Sequence, residues 1–261
     1  MGHLTLGHLT LNAPARSQRN PDSTTRRALS DMGTAILTVW TDVPADIEAD
    51  FNDWYNREHL PDRVQRMPGF LRGRRYAALA GAPKFLTLYD LESSAVMLSE
   101  AHVALRRQRT ARDRLFVPRF QNTIKGICDV VCRVGEGEGG FLVAMPVIAQ
   151  PGRETQFSDW VCHELLPELA RSRGITSAAY AVRNAEVTQA SSAKDDRAGD
   201  RYLENLLVIE AASEEGVGTA MRCLDAARLA SAGGGPHLLA APCALRILYT
   251  LHAPARAGAP P

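Results

Sequence analysis

The 261-residue sequence lacks most of the patterns that identify a reaction or a membrane protein directly. No stretch approaches the roughly 20 consecutive apolar residues that a membrane-spanning helix needs. There is no HExxH, no cluster of cysteine and histidine ligands, no P-loop, no GxGxxG before a helix and no GxSxG, which argues against most zinc, nucleotide and serine-hydrolase functions. The net charge is only +1, so the composition does not point to nucleic acid or to an anionic membrane as a partner.

Cysteine is sparse and unevenly placed. The chain has an odd number of cysteines, without metal-site spacing: Cys128, Cys132, Cys162, Cys223 and Cys243. Cys128 and Cys132 fall in a predicted strand, where residues four apart share a face. The pattern predicts reduced thiols in the core of a cytoplasmic protein, and no metal site.

The two ends of the sequence are poor in residues that pack. Residues 1–31 lack the charged and continuously apolar regions of a secretory signal, and residues 254–261 are mostly alanine, glycine and proline. Both segments are predicted to be disordered tails.

An internal repeat is the most informative feature that is present. The stretch FNDWYNREHLPDRVQRMPGF, residues 51–70, returns in a diverged form as FSDWVCHELLPELARSRGI, residues 157–175. Pairs of identical residues lie 106 positions apart: Phe51/Phe157, Asp53/Asp159, Trp54/Trp160, Glu58/Glu164, Leu60/Leu166 and Pro61/Pro167. Tyr55 and His59 are not repeated, because Val161 and Leu165 occupy the matching positions. A duplication that retains a titratable pair in one copy predicts one functional half and one degenerate half.

Around each copy the pattern predicts the order strand, helix, strand, strand, helix, strand. In the first copy these are strands 34–40, 70–79, 84–92 and 123–134 with helices that start at Pro44 and near Ser94, the second of them continuing to Arg114. In the second copy they are strands 141–149, 176–183, 202–210 and 243–252 with helices 153–170 and 214–229. The polar stretch 184–200 is predicted to be a disordered loop rather than a lid.

This order is that of the ferredoxin-like unit. The predicted domains are a first unit at 32–135, a linker at 136–140 and a second unit at 141–253. Each unit has helices on one face of an antiparallel sheet, so its other face needs cover. We therefore predict an α+β fold of two tandem ferredoxin-like βαββαβ units that pack sheet to sheet as an intrachain barrel. A pocket is expected between each sheet and its own first helix.

The segment FNDWYNREHLPDRVQRMPGFLRGRRY, residues 51–76, resembles the helix-to-second-strand signature of the dimeric α+β barrel superfamily, and its EthD-like branch in particular. The resemblance implies a small hydrophobic pocket with few polar groups that handles aromatic or polyketide-like compounds. The superfamily includes cofactor-free isomerases, decarboxylases, polyketide cyclases, monooxygenases and haem proteins. Where such a family has a functional histidine in this helix, the matching residue here is His59, and Leu165 replaces it in the second copy.

The candidate catalytic residues are His59, Tyr55 and Arg75. An imidazole titrates near neutrality and can take and return a proton, although His59 could also simply pack at the helix end beside Pro61. Tyr55 lies one turn earlier, where its phenol can donate to a developing oxyanion. Arg75 can present a fork of donors to an enolate or carboxylate.

Four further residues are candidates for substrate binding: Trp54, Phe51, Tyr76 and Arg74. Because strand residues alternate between faces, Arg74 and Tyr76 are expected to point away from Arg75. His102 has no partner residue in the sequence and is expected to be incidental.

These features predict a cofactor-independent acid/base enzyme of isomerase, decarboxylase, dehydratase or cyclase type. Its substrate would be a small hydrophobic aromatic or polyketide-like carbonyl compound, and a further homodimer is possible. Three alternatives stay open: a cofactor-free monooxygenase acting on a phenol with Trp54, Tyr55 and Asn56, a haem-binding barrel with His59 as ligand, and a non-catalytic binding or assembly protein.

Overall fold

The computed structural model describes residues 33–192 and 199–254. The predicted tail at 1–31 and nearly all of that at 254–261 lie outside the described residues. No helix in the described ranges is long and apolar enough to cross a membrane.

The first unit contains four long strands and three α-helices. Its strands are β1 (Ala35–Asp42), β2 (Phe70–Ala78), β3 (Phe85–Leu91) and β4 (Gln121–Gly135). Helix α1 covers 48–64 and consists of the α-helical Glu48–Trp54, the π-helical Tyr55–His59 and the α-helical Leu60–Val64. Helices α2 (Glu100–Arg107) and α3 (Ala111–Phe116) follow β3, and short 3₁₀ turns occur at Ala45–Ile47, Ser94–Leu98 and Val117–Arg119.

The second unit repeats this plan with additions. Its strands are β5 (Phe141–Ala149), β6 (Ile175–Arg183), β7 (Arg201–Tyr202), β8 (Asn205–Ala211), β9 (Gly234–Pro236) and β10 (Cys243–His252). Helix α4 covers 154–171 and has the same composite form, Glu154–Trp160, the π-helical Val161–Leu165, and Leu166–Arg171. The remaining helices are α5 (Ala185–Ser192), α6 (Glu214–Cys223) and α7 (Ala226–Ser231).

Eight strands close into one antiparallel barrel in the order β1-β3-β2-β10-β5-β8-β6-β4, with β4 pairing back to β1. The units meet at two seams, where β2 pairs with β10 and β4 pairs with β6. Strand β7 pairs with β4 in parallel and β9 pairs with β5. The predicted fold of two tandem ferredoxin-like units, packed as an intrachain α+β barrel, is confirmed.

The barrel interior is a solid core. Alternate strand residues fill it, including Trp40, Tyr76, Leu88, Cys128 and Leu206. The opposite faces of the strands carry two separate apolar clusters, one beneath the helices of each unit. Because side chains fill a barrel of eight strands, space for a ligand is expected outside it, between the sheet and the helices.

The segment predicted as one helix over 94–114 is divided, and that prediction was wrong. The Ser99 side chain accepts from the N–H of His102 and starts α2. Thr110 and Asp113 form a capping box that starts α3. Each cap satisfies N–H groups that a continuous helix would bond to the preceding turn, so the chain begins a new helix at each.

The predicted disordered loop 184–200 is also corrected in part. Residues 185–192 form α5, whose first turn is capped by Asn184, since the N–H of Val187 donates to Asn184 Oδ1 over 3.0 Å. Asn184 is itself fixed by Asp129 of β4, at 2.9 Å. Residues 193–198 lie outside the described part of the chain.

The cysteines depart from prediction because β4 contains a bulge. The pairing register with β6 shifts between Val130 and Cys132, and a bulge reverses the face on which later residues lie. Cys128 therefore faces the barrel interior, whereas Cys132 faces helix α4 and forms a disulfide with Cys162. The expectation of five reduced thiols was wrong, and the bond joins the first unit to the second.

Removing this disulfide should lower stability substantially. The bridge spans 30 residues, and closing a loop of that size lowers the entropy of the unfolded chain enough to stabilise the fold by about 3.5 kcal/mol. We expect Cys132→Ala/Cys162→Ala to lose about that much free energy of unfolding in urea, and Cys243→Ala, which removes a free thiol, to lose much less. Titration of the denatured, unreduced protein should find three thiols; five would show that the bond is absent.

Candidate functional site

The π-helical turn of α1 follows from Pro61. Proline has no N–H, and its ring clashes with the carbonyl four residues earlier, so the α-helical hydrogen-bond ladder is interrupted. The helix continues by widening, with the N–H of Leu60 donating to the carbonyl of Tyr55. The same turn precedes Pro167 in α4, so the feature was present in both copies and is not specific to the functional half.

The turn directs Tyr55 and His59 inward, where the two residues are 2% and 8% exposed. The predicted placement of both residues beside the buried face of this helix is confirmed. In α4, Val161 and Leu165 occupy these positions and are fully buried in an apolar cluster. The first unit thus holds two polar groups where the second has core residues.

Helix α1 is held close to strand β2 at two points. At Gly73 an added Cβ would lie 2.9 Å from Val64 Cγ2 and 3.0 Å from Leu60 Cδ2, so any other residue would require these side chains to shift. At Arg75 the guanidinium donates to Asn52 Oδ1 and Asn56 Oδ1, at 2.8 and 2.7 Å. Both contacts fix the position of the π-helical turn.

A cavity of about 170 Å³ lies beneath α1, between the sheet of the first unit and helices α2, α3 and α5. We refer to it as the α1 cavity. Its apolar wall is formed by Leu37, Val39, Met97, Leu105, Val117, Phe120 and Ile127. Its polar wall is formed by Tyr55, His59, Asp62, Arg63, Tyr89, His102, Arg106, Arg109, Asp113, Lys125, Thr188, Ser191 and Tyr202.

His59 is paired with Asp113 of helix α3. The imidazole Nδ1 lies 3.2 Å from Asp113 Oδ1. Asp113 also accepts from the N–H of Thr110 at 2.9 Å, which fixes the carboxylate. A carboxylate can only accept, so Nδ1 carries the hydrogen and Nε2 carries the lone pair, a tautomer that we assign from this network.

The electrostatic surroundings keep His59 neutral. Burial lowers the pKa of His59 to about 3, helped by the positive charges of Arg63 and Arg75 and opposed by Asp113. Burial also acts against ionisation of Asp113, but the hydrogen bonds from His59 and Thr110 outweigh it and hold the pKa of this carboxyl well below its usual range. At neutral pH the pair is a neutral imidazole beside a carboxylate, which is the state that a general base requires.

Two tyrosine hydroxyls lie at the cavity near this pair. The hydroxyl of Tyr89, on β3, donates to that of Tyr55 over 3.4 Å, a long hydrogen bond. Burial, followed by the proximity of Tyr55, raises the pKa of Tyr89 well above its usual value, so Tyr89 stays protonated. The Tyr55 ring lies 4.7 Å from the His59 ring. Tyr55, which accepts from Tyr89, therefore has its own hydrogen left to donate to an oxygen that becomes negative next to His59.

Arg75 does not line the cavity, in contrast to its predicted catalytic contact. It is 1% exposed and lies behind the ring of Tyr55, with Cζ 4.3 Å from the ring centroid. Burial lowers the pKa of Arg75 to about 10, and no carboxylate of the described residues hydrogen-bonds to it. Strand β2 places Arg75 beneath helix α1. Arg75 therefore positions the π-helical turn through Asn52 and Asn56, and its positive charge acts on His59.

The four predicted substrate-binding residues also lie away from the cavity. Arg74 and Tyr76 face the barrel interior, on the side of β2 opposite Arg75 as alternation predicts, and both hydrogen-bond to Glu210. Phe51 and Trp54 are fully buried in the apolar cluster beneath α1. Trp54 packs on His59 at 4.4 Å and supports that side chain without lining the α1 cavity.

Several residues of the site were not identified from the sequence. Asp113 lies 54 positions after His59, and only its place in a Thr-x-x-Asp capping pattern marks it as a fixed carboxylate. Tyr89 reads as an ordinary strand residue. His102, expected to be incidental, lines the cavity at 3% exposure, and its Nδ1 lies 3.0 Å from the carbonyl of Met97.

The protein therefore has the fold of a closed, eight-stranded antiparallel α+β barrel, to which each of two ferredoxin-like units of one chain contributes four strands. Similar solved structures include an anthrone oxidase-like protein, with 12% identity over 85% of this chain and 93% of that chain at a TM-score of 0.56. A candidate chlorite dismutase shows 13% identity over 83% of this chain and 95% of that chain, at a TM-score of 0.53. A candidate monooxygenase from Lactobacillus acidophilus shows 9% identity over 84% of this chain and 96% of that chain, at a TM-score of 0.51. At these identities the likeness shows the fold alone. No family model and no curated protein matches the sequence.

The α1 cavity does not fit a haem. At about 170 Å³ it is much smaller than a tetrapyrrole, and Trp54, Tyr55 and Asp113 contact His59 on several sides. Among residues 33–192 and 199–254, no group of three or more histidine, cysteine or acidic side chains is arranged to hold a metal ion.

Proposed function

We propose that the protein is a cofactor-independent enzyme that transfers protons on a compact carbonyl or phenolic compound. The observation that carries this proposal is the His59–Asp113 pair, a neutral and oriented imidazole that lines a largely apolar cavity beside two tyrosine hydroxyls. His59 and Tyr55 are buried, and electrostatic interactions are stronger in such surroundings than in water.

In the proposed reaction, His59 Nε2 takes a proton from a carbon next to the carbonyl, or from the phenol. Asp113 stabilises the imidazolium that forms and keeps the ring in place, as the carboxylate of a catalytic triad does. Tyr55 donates to the substrate oxygen, on which the negative charge collects, and Tyr89 supports it by donating to the Tyr55 hydroxyl. Return of the proton at a second position completes an isomerisation, and departure of a β-hydroxyl group that takes the proton from the His59 imidazolium gives a dehydration. In a decarboxylation, loss of carbon dioxide from the carboxylate of a β-keto acid would itself form the enolate, which a solvent-derived proton then converts to the product.

The size of the cavity restricts the substrate. An enclosed apolar cavity of about 150 Å³ can hold one benzene ring, and the α1 cavity measures about 170 Å³. A single ring with small substituents matches this volume, and larger parts of a ligand would lie outside the cavity.

A cofactor-free monooxygenase is the second candidate, because the first step would be the same. An electron-rich phenolate or enolate made by His59 could react with dioxygen instead of being reprotonated. The fold is shared with an anthrone oxidase-like protein and a candidate monooxygenase, which supports retaining this candidate. Two of the residues predicted for the monooxygenase are poorly placed to contact a substrate, because Trp54 is buried in the core and Asn56 accepts a hydrogen bond from Arg75.

The experiment that tests the proposal is hydrogen–deuterium exchange in D₂O. We expect NMR to show loss of acidic C–H signals from members of a panel of single-ring hydroxyphenyl ketones and 1,3-dicarbonyl compounds, with no oxygen uptake at an electrode. Analogues in which methyl groups replace the acidic hydrogens are the control. Oxygen uptake with product formation would favour the monooxygenase, and neither exchange nor uptake across the panel would support a binding protein.

We also propose that the chain belongs to the EthD-like branch, on the residues of the 51–76 motif, and that it acts on a small-molecule substrate. The cytoplasmic location stays a prediction, and it loses the support of reduced thiols because Cys132 and Cys162 are joined in a disulfide. A further homodimer stays a prediction.

A further inference from the structure

Cations outnumber carboxylates in the wall of the α1 cavity. The wall contains Arg63, Arg106, Arg109 and Lys125, against Asp62 and Asp113. Both carboxylates are already engaged: Asp62 forms an ion pair with Arg66 at 2.6 Å, and Asp113 is bound to His59. Neither is therefore available to neutralise Arg63, whereas Lys125 is already paired with Asp200.

Arg63 is the cation nearest the proposed base. Its Nη1 donates to the carbonyl of His59 over 2.8 Å, which places the guanidinium within one turn of the imidazole. In the described ranges no carboxylate lies within hydrogen-bonding distance of Arg63, and this carbonyl is its one hydrogen-bond acceptor. The half-buried guanidinium lines the cavity with donors still to be satisfied.

Arg75 adds a second positive charge behind the same wall. It is almost fully buried, and its hydrogen bonds go to amide groups of Asn52 and Asn56 and not to a carboxylate. Two cations without acidic partners thus lie on the side of the cavity where His59 and Tyr55 are. A buried charge is unfavourable unless it is compensated, so an anionic ligand would gain from binding here.

We infer that the substrate carries a carboxylate and that Arg63 binds it. A guanidinium offers a planar fork of donors that matches the two oxygens of a carboxylate. Held by Arg63, the carboxylate would lie next to His59 and leave the ring against the apolar wall. This inference deepens the proposed function by naming the substrate as a compact ring or keto acid, and it makes Arg63 a specificity-determining residue.

Benzoate and benzamide test the inference, because they have the same shape and differ in charge. We expect calorimetry at pH 7.5 to show benzoate binding about ten times more tightly than benzamide, the gain typical of one charge-assisted hydrogen-bonded pair. Arg63→Gln should weaken benzoate binding about tenfold and leave benzamide unchanged, and Arg63→Lys should retain part of the preference. Arg57→Gln is the matched control, because Arg57 lies on the same helix but is exposed and paired with Asp53.

The results separate this inference from the proposed function. His59→Ala should retain the preference for benzoate even though turnover is lost, since Arg63 is unchanged. Equal binding of the two probes to the wild type, failure of benzoate to bind at millimolar concentration, or a preference that survives Arg63→Gln would each overturn the inference. Thermal unfolding of each variant establishes that a loss of binding does not come from a loss of fold.

Discussion

Replacing His59 by alanine is expected to lower turnover by about 10² to 10⁴-fold, the contribution of a positioned general base. In the proposed reaction the imidazole Nε2 is the group that takes the proton, and Asp113 holds this imidazole in place through Nδ1. The measurement is the rate of hydrogen–deuterium exchange on the best compound of the panel, compared between wild type and variant. His59→Gln, which retains size and polarity, should lose as much activity while preserving more of the packing against Trp54.

His163→Ala is the matched control. His163 lies in the π-helical turn of the second unit and is exposed, so its loss should leave the rate unchanged. A further variant, Asp113→Asn, should reduce the rate less than His59→Ala, because it removes only the group that orients the imidazole and stabilises its protonated form. If His59→Ala retains the wild-type rate in a folded protein, the assignment of His59 as the base is wrong.

The fold could be predicted because the duplicated helix has a strong pattern. Phe51, Trp54, Leu60 and Pro61 recur with one spacing, and the order of strands around each copy leaves few ways to cover both sheets. The prediction failed at individual helix boundaries, where the structure depends on single capping residues. Caps at Ser99, Thr110 and Asn184 redirect the chain over one or two residues, and a helical period does not reveal such changes.

The site could be predicted only where its residues are close in sequence. Tyr55 and His59 are four positions apart on one helix, so periodicity was enough to place them together. Asp113 and Tyr89 reach the same cavity from other elements, and strand register and helix packing decide which of their neighbours face it. Arg75 was predicted as a donor to substrate because alternation gives the face of a residue but does not show whether another side chain, here Tyr55, lies in between.

Stability should fall in mild acid because of His59. The pKa of His59 is lowered by burial from its ordinary value of 6.5 to about 3. Between these values the unfolded chain binds a proton that the folded protein does not, so the free energy of unfolding decreases as pH falls, by about 1.4 kcal/mol per pH unit. Above pH 6.5 neither state is protonated at this residue, and the effect is absent.

The comparison of wild type with His59→Gln isolates this contribution. His237, whose pKa is also lowered by burial, acts in the same direction and is common to both proteins. Protonation of Asp113 affects the free energy of unfolding only at lower pH, because the pKa of this carboxyl is depressed from an ordinary value of 3.8. From pH 7 to pH 5, urea unfolding should show the wild type losing about 2 kcal/mol more than the variant. Equal losses would mean that His59 binds its proton in the folded protein near the ordinary pKa, in which case the imidazole is not held neutral by its surroundings and would be protonated below pH 6.5.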